Sequence, residues 1–159
     1  MIPLTMQRWA INRLNTLATR LTRGQPLAPH LQTGLRGERE AFFHLRERGY
    51  TVVARRWASP RVRGDIDLVA WHRDVLCFVE VKSRSTRDEI FTAESAVDQP
   101  KRKQLRRLAH AYLKSLDAPE DIAVATRFDV LSVYLLPERP VFELIQAAFA
   151  WSEPSSTRW

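Results

Sequence analysis

Two carboxylates and one ammonium lie where apolar strands should exclude them. Phe78-Val79-Glu80-Val81-Lys82 alternates apolar and charged residues, and strand side chains alternate between faces with a period of two. Glu80 and Lys82 therefore share one face, Val79 and Val81 the other. Asp67 lies 13 residues before Glu80, inside a second apolar run, Asp65-Ile66-Asp67-Leu68-Val69-Ala70-Trp71. A charged group at the end of an apolar strand is costly unless it is paired or bound. If the two runs form a hairpin, Asp67 can approach Glu80. Two converging carboxylates describe a divalent-cation site, and hard oxygen donors suit Mg²⁺, with Mn²⁺ as a substitute. An ion held by Asp67 and Glu80 would polarise a phosphate and lower the pKa of its bound water. Lys82 would orient or deprotonate that water, or stabilise the developing negative charge. The chemistry implied is hydrolysis of a phosphodiester. The alternative is a Glu80–Lys82 ion pair on the surface of an edge strand.

The elements that must position these residues are legible around them. Asp65 to Trp71 and Val75 to Lys82 read as strands joined by a turn at His72-Arg73-Asp74, a hairpin. Tyr50-Thr51-Val52-Val53-Ala54 is rich in β-branched residues and reads as an earlier strand. Between these strands, Arg55 to Arg63 contains the turn signal Ser59-Pro60 and four arginines, Arg55, Arg56, Arg61 and Arg63. From Gly34 the pattern becomes helical; Ala41, Phe42 and Leu45 mark one face, and Gly49 stands where a helix C-terminal glycine belongs. Glu38 precedes those three residues by three, four and seven positions and so shares their face. A carboxylate there needs a partner: the metal site, or a local role near the helix start, where an acid is favoured.

Ser83 to Pro100 is polar and reads as irregular, with Pro100 near the start of a second helix. On that helix Leu105, Leu108, Ala109, Tyr112, Leu113 and Leu116 recur at helical spacing. Phe128 to Leu136 is a fourth strand, Val141 to Ile145 an edge strand, and Ala147 to Trp151 a short terminal turn. The order helix, three strands, helix, strand predicts an α/β fold with a mixed central sheet flanked by helices. Residues 34–151 form one domain on this reading. Residues 1–33 are a basic arm or helix plus linker, and residues 152–159 a frayed tail.

Charge points to the partner. The 159 residues carry 25 Lys and Arg against 18 Asp and Glu, a net +7, and a pI near 10.3. Such an excess favours polyanions: nucleic acid first, an anionic membrane surface second. From Met1 to Gly37 there is no acid, and Trp9, Leu14, Leu17 and Leu21 fall near one helical face among arginines. That segment reads as a loosely attached arm rather than a targeting peptide or membrane-surface helix, with Gly24-Gln25-Pro26 and Pro29 as linker. No run is long and apolar enough to span a bilayer. A single cysteine, Cys77, sits in an apolar run. It excludes a disulfide framework within one chain and fits a reducing, cytoplasmic compartment. His72 and His110 have no partner at metal-ligand spacing and read as turn or surface residues, and Asp129 as structural. No glycine-rich phosphate loop and no Ser/His/Asp set is visible. The helix that begins Lys101-Arg102-Lys103-Gln104-Leu105-Arg106-Arg107 presents a basic side that can track phosphates. Arg55, Arg56, Arg61 and Arg63 extend that surface.

These residues also carry a resemblance. Asp67…Glu80-Val81-Lys82 resembles the Asp…Glu-x-Lys signature of the restriction-endonuclease-like nucleases. Gly37-Glu38-Arg39-Glu40-Ala41, Gly49-Tyr50, Gly64-Asp65-Ile66-Asp67-Leu68-Val69-Ala70 and Phe78-Val79-Glu80-Val81-Lys82-Ser83-Arg84 together resemble the YraN-like family of small bacterial proteins. The match runs from about Gly34 to Ile145, and Asp65 departs from it, since the family often has Glu there. The resemblance implies a restriction-endonuclease-like fold with an αβββαβ core. It implies Asp67, Glu80 and Lys82 as catalytic residues, and Glu38 as an added metal ligand, as on the helix of similar nucleases. Gln104 and Tyr112, eight apart, resemble a helix Gln…Tyr pair of some nucleases of this fold; Tyr112 is expected in the core and Gln104 at the nucleic acid. Arg84 is expected to join Lys101, Arg102, Lys103, Gln104, Arg55, Arg56 and Arg63 in binding it.

The leading expectation is therefore a Mg²⁺-dependent endonuclease or exonuclease acting on DNA. A nucleic-acid-binding module of the same fold with little or no catalysis is the second, and an adaptor docking a membrane or partner protein the third. A fold is shared more widely than an activity, so the site has to be argued from its own geometry.

Overall fold

In the computed structural model, which describes residues 28–85, 97–116 and 124–152, two helices cover opposite faces of one five-stranded sheet. The chain runs α1 (Pro29–Glu47), β1 (Tyr50–Ser59), β2 (Val62–His72), β3 (Val75–Arg84), α2 (Gln99–Ser115), β4 (Ala125–Leu135) and β5 (Pro140–Phe149). The strands lie side by side in sequence order. β1, β2 and β3 are antiparallel neighbours. β3 and β4 are parallel, joined by the crossover that contains α2, and β4 and β5 are antiparallel. This is the mixed α/β sheet flanked by helices expected from the sequence, consistent with a restriction-endonuclease-like fold. The Trp9 to Leu21 arm, the Gly24-Gln25-Pro26 linker, residues 86–96 of the polar stretch and the Pro154 to Trp159 tail lie outside the described residues.

The alternation of β3 divides the core in two. Leu76 and Phe78 pack with Leu105, Leu108, Ala109 and Tyr112 of α2. Cys77 and Val79 pack with Ala41 and Leu45 of α1. Cys77 is fully buried among apolar side chains, as a core cysteine should be. Its thiol is pushed up to about 12, chiefly by burial and then by the nearby Asp129 charge. Tyr112 is likewise core, edge-on to Trp57 and Phe78.

Several boundaries differ from the sequence reading, each for a physical reason. α1 begins at Pro29, not Gly34; proline is suited to the first turn, where its missing N–H would have no intrahelical partner. Glu38 is therefore mid-helix, and a capping role at the helix start falls away. β1 does not stop at Ala54 but continues to Ser59 through exposed arginines, because the backbone keeps pairing with β2. β5 runs on to Phe149 where a terminal turn was expected. Ala147, with φ 51°, sits in an irregularity between the Val130↔Ile145 and Phe128↔Phe149 pairs. Its N–H donates to Asp129 Oδ1 at 3.0 Å.

Two glycines matter to the site. Gly37 is buried where α1 crosses β3, and a Cβ there would run into Ser83 Oγ. The neighbouring Glu38 stands near Arg56 of β1, 3.9 Å from its Nε. Gly64, with φ 95°, turns the β1–β2 tip beneath Gln104 of α2, and a Cβ there would meet Gln104 Nε2.

Candidate active site

The site forms where β2 and β3 part. Their ladder runs from His72↔Val75 to Leu68↔Val79 and goes no further. The next residue, Asp67, replaces a backbone partner with its side chain: the Val81 N–H donates to Asp67 Oδ2 at 2.7 Å. Alternation also slips here. Ile66 belongs to the core under α2, whereas Leu68 belongs to the core under α1. The Asp67 carboxylate consequently reaches across the gap toward β3. Across from it on β1, between the Arg55↔Leu68 and Trp57↔Ile66 pairs, Arg56 adopts a left-handed φ of 47°. A non-glycine residue there is strained.

Glu80 is 4% exposed. Lys82 Nζ donates to its Oε1 at 3.1 Å. On the other side Lys101 Nζ of α2 stands 3.1 Å from Oε2. That second contact lacks hydrogen-bond alignment, so Oε2 is a buried acceptor without a hydrogen-bond donor. Burial first, and the Glu80 charge second, push the Asp67 carboxyl up to about 7, while the Val81 N–H and Lys101 oppose the rise. Glu38 stands at the rim. Burial raises its pKa and Arg56 opposes this, while Asp65 and Glu80 add to it. Arg56 Nε lies 3.9 Å from Glu38 Oε2 and 3.4 Å from Asp65 Oδ2.

These side chains can be tested against a divalent cation. Among the described residues, no group of three His, Cys, Asp or Glu side chains is arranged to hold a metal, so Glu38 does not complete a ready three-donor cage with Asp67 and Glu80. Mg²⁺ does not need one, since it keeps several waters and takes one or two carboxylates. A buried carboxylate oxygen without a hydrogen-bond donor, beside a second carboxyl whose ionisation is disfavoured by burial and by the Glu80 charge, fits such an ion.

The expected nucleic-acid-binding residues divide into three groups. Lys101 belongs to the carboxylate cluster itself. Lys103, Arg63 and Lys101 line an open cleft of about 590 Å³ between the β1–β2 tip and the start of α2, together with Arg107, which the sequence reading did not single out. The others, apart from Arg61, have partners within the fold. Arg102 Nε donates to the Val97 carbonyl at 2.8 Å and its guanidinium covers the Phe149 ring. Gln104 Nε2 donates to the Arg63 carbonyl at 2.7 Å and so clamps the tip to α2. Arg55 lies over the Phe42 ring, 5.1 Å from its centroid, and Arg56 faces Glu38 and Asp65. Arg61 is exposed at the β1–β2 tip, and Arg84 ends β3 opposite Tyr134.

Lys101 at Glu80 had no local signal in the sequence, since the contact joins α2 to β3 across the fold. The same holds for a half-buried polar cluster on the α1 side of the sheet, built around the buried Asp129. Asp129, fully buried and structural as expected, accepts two hydrogen bonds from Arg127 Nε at 2.9 and 3.0 Å. Arg127 also donates to Tyr50 at 2.8 Å and lies 3.0 Å from His72 Nδ1. His72, expected as a turn or surface residue, ends β2 beside the turn and is half-buried, stacked on Tyr50 and tied to the cluster. His110 is exposed and packs near Trp151.

The comparisons with known proteins bear on this architecture. The model of the uncharacterised protein family UPF0102 matches residues 37–133, which hold α1 from Gly37, the four strands around the site, and α2. The chain belongs to that family. A UPF0102 protein of Koribacter versatilis is 46% identical over 123 residues, 77% of this chain and 82% of the relative. One of Chlorobaculum tepidum is 40% identical over 122 residues, covering 73% and 90%. One of Nocardia farcinica is 40% identical over 118 residues, covering 73% and 87%. The names of these family members state no activity. The match confirms the YraN-like resemblance and spans Glu38, Asp67, Glu80, Lys82 and Lys101. No helix among the described residues is long and apolar enough to cross a membrane.

Proposed function

We propose that this chain is a metal-dependent phosphodiesterase acting on DNA. The observation that carries the reading is the buried Glu80 carboxylate beside Asp67, with the Lys82 ammonium 3.1 Å away. A divalent cation bound there would supply a Lewis acid for the phosphate and a water of lowered pKa. The chain's own residues do the rest. Asp67, oriented by the Val81 N–H, and Glu80 present hard oxygen donors. Lys82 holds Glu80 in place and offers an ammonium to the attacking water or to the phosphate oxygen as charge develops. Lys103, Arg63 and Arg107 in the adjoining cleft bind backbone phosphates and set the register of the strand.

A second reading, a nucleic-acid-binding module without catalysis, has one observation in its favour: both Glu80 oxygens face lysines rather than an open coordination position. The test is a cleavage panel of duplex, branched and single-stranded DNA, with RNA for comparison, in Mg²⁺, Mn²⁺ and EDTA. Glu80→Ala and Lys82→Ala should each lower cleavage by orders of magnitude with binding retained, because most affinity comes from phosphate contacts elsewhere. A wild type that cleaves nothing, yet binds equally well with or without these side chains, decides for the second reading.

A further inference from the structure

We propose that Lys101 is the resident cation of the Asp67–Glu80 site, and that metal loading exchanges it from Glu80 Oε2 into the adjoining cleft, where it becomes a phosphate-binding group. The inference rests on the metal-site reading above and adds to it how the site is regulated.

The two lysines at Glu80 are not equivalent. Lys82 makes an aligned hydrogen bond to Oε1. Lys101 neutralises Oε2 at the same 3.1 Å without that alignment, so it is held more loosely. The charge of Lys101 also favours the ionised form of Asp67, which places it within influence of both carboxylates. An ammonium there and a divalent cation on the same two carboxylates would repel at close range in a poorly solvated site. One must leave.

The local structure lets Lys101 leave without unfolding anything. Its backbone is fixed in the first turn of α2, where its N–H donates to Asp98 Oδ1 at 2.9 Å. Its side chain is 28% exposed and lines the cleft with Arg63, Lys103 and Arg107. A rotation of the long side chain suffices. Once released, its charge joins three other cations facing the same opening. Metal and polyanion then raise each other's affinity, since coupling between two binding sites is reciprocal.

Mn²⁺ titration calorimetry on the full chain, without nucleic acid, tests this independently of cleavage. Lys101→Met removes the competitor and should bind Mn²⁺ about tenfold more tightly, the scale of one charge-assisted pairing that the metal no longer has to displace. Lys101→Arg keeps the charge and forks onto the carboxylate, so it should bind Mn²⁺ more weakly than wild type. Lys114→Met, which removes an equal charge in the last turn of α2, should leave the affinity within about twofold. A merely structural Lys101 would weaken Mn²⁺ binding in both variants. If wild type binds Mn²⁺ and Lys101→Met binds it equally or less well, the exchange is refuted while the metal site stands. If neither wild type nor Lys101→Met binds Mn²⁺, the exchange and the metal site fall together.

Discussion

Replacing Asp67 by Asn removes a charge but keeps an oxygen able to accept the Val81 N–H at 2.7 Å. The variant therefore isolates the electrostatic state of this carboxyl. In the unfolded chain Asp67 ionises near 3.8; in the native protein burial and the Glu80 charge hold it protonated up to about 7. Between those values the native state binds more protons than the unfolded one, so stability falls as pH rises from about 4 to about 7 and then levels off. At 1.36 kcal/mol per pKa unit, the full rise corresponds to on the order of 4 kcal/mol. Asn has no such penalty. In EDTA, urea unfolding should find Asp67→Asn close to wild type near pH 4 and more stable by about 2–4 kcal/mol near pH 8. Glu38, also raised by burial, tilts both curves the same way, whereas His44 and His72, lowered by burial, tilt both the other way. The histidine contributions cancel in the difference between the two proteins, whereas Glu38, whose charge helps to raise Asp67, is relieved in the variant and adds in the same direction. A difference that stays constant across the pH range, or an Asn variant less stable than wild type at alkaline pH, would refute the argument. Asp67 would then be a carboxylate already compensated within the fold.

Other outcomes follow from the same geometry. Gly64→Ala forces an alanine into φ 95° and against Gln104, so it should lower stability by about 1–3 kcal/mol in urea unfolding, whereas Gln104→Ala, which removes only the hydrogen bond to the Arg63 carbonyl, should cost about 1 kcal/mol. Replacing Lys103 and Arg107 together by Ala should weaken duplex DNA binding, and the log–log salt slope measured by anisotropy should fall by about 0.9 for each phosphate no longer neutralised; an unchanged slope would mean that the cleft does not face the nucleic acid.

Local patterning alone was enough to reveal the β2–β3 hairpin and the placement of Asp67, Glu80 and Lys82 near one end of it. Period-two alternation says which strand residues share a face, and a charge that breaks an apolar face is visible without any partner. The same logic made the core side of α2 legible through Leu105, Leu108 and Tyr112, and placed Glu38 on the inner side of α1. Other features emerged only on folding, because they depend on residues far apart in the chain. Nothing local says that β1 continues past Ala54 through its arginines to Ser59; its ladder with β2 does. Arg127, Asp129, Tyr50 and His72 are separated by up to 79 positions and become one hydrogen-bonded cluster only when β1, β2 and β4 share a sheet. Gln104 and Arg102 looked like groups for a polyanion, and in the fold they also donate to the Arg63 and Val97 carbonyls, partners 41 and 5 positions away that no helical periodicity announces. Lys101 reaches Glu80 because α2 lies over the end of β3, and side-chain periodicity gives a residue its face but not the charge it will meet there.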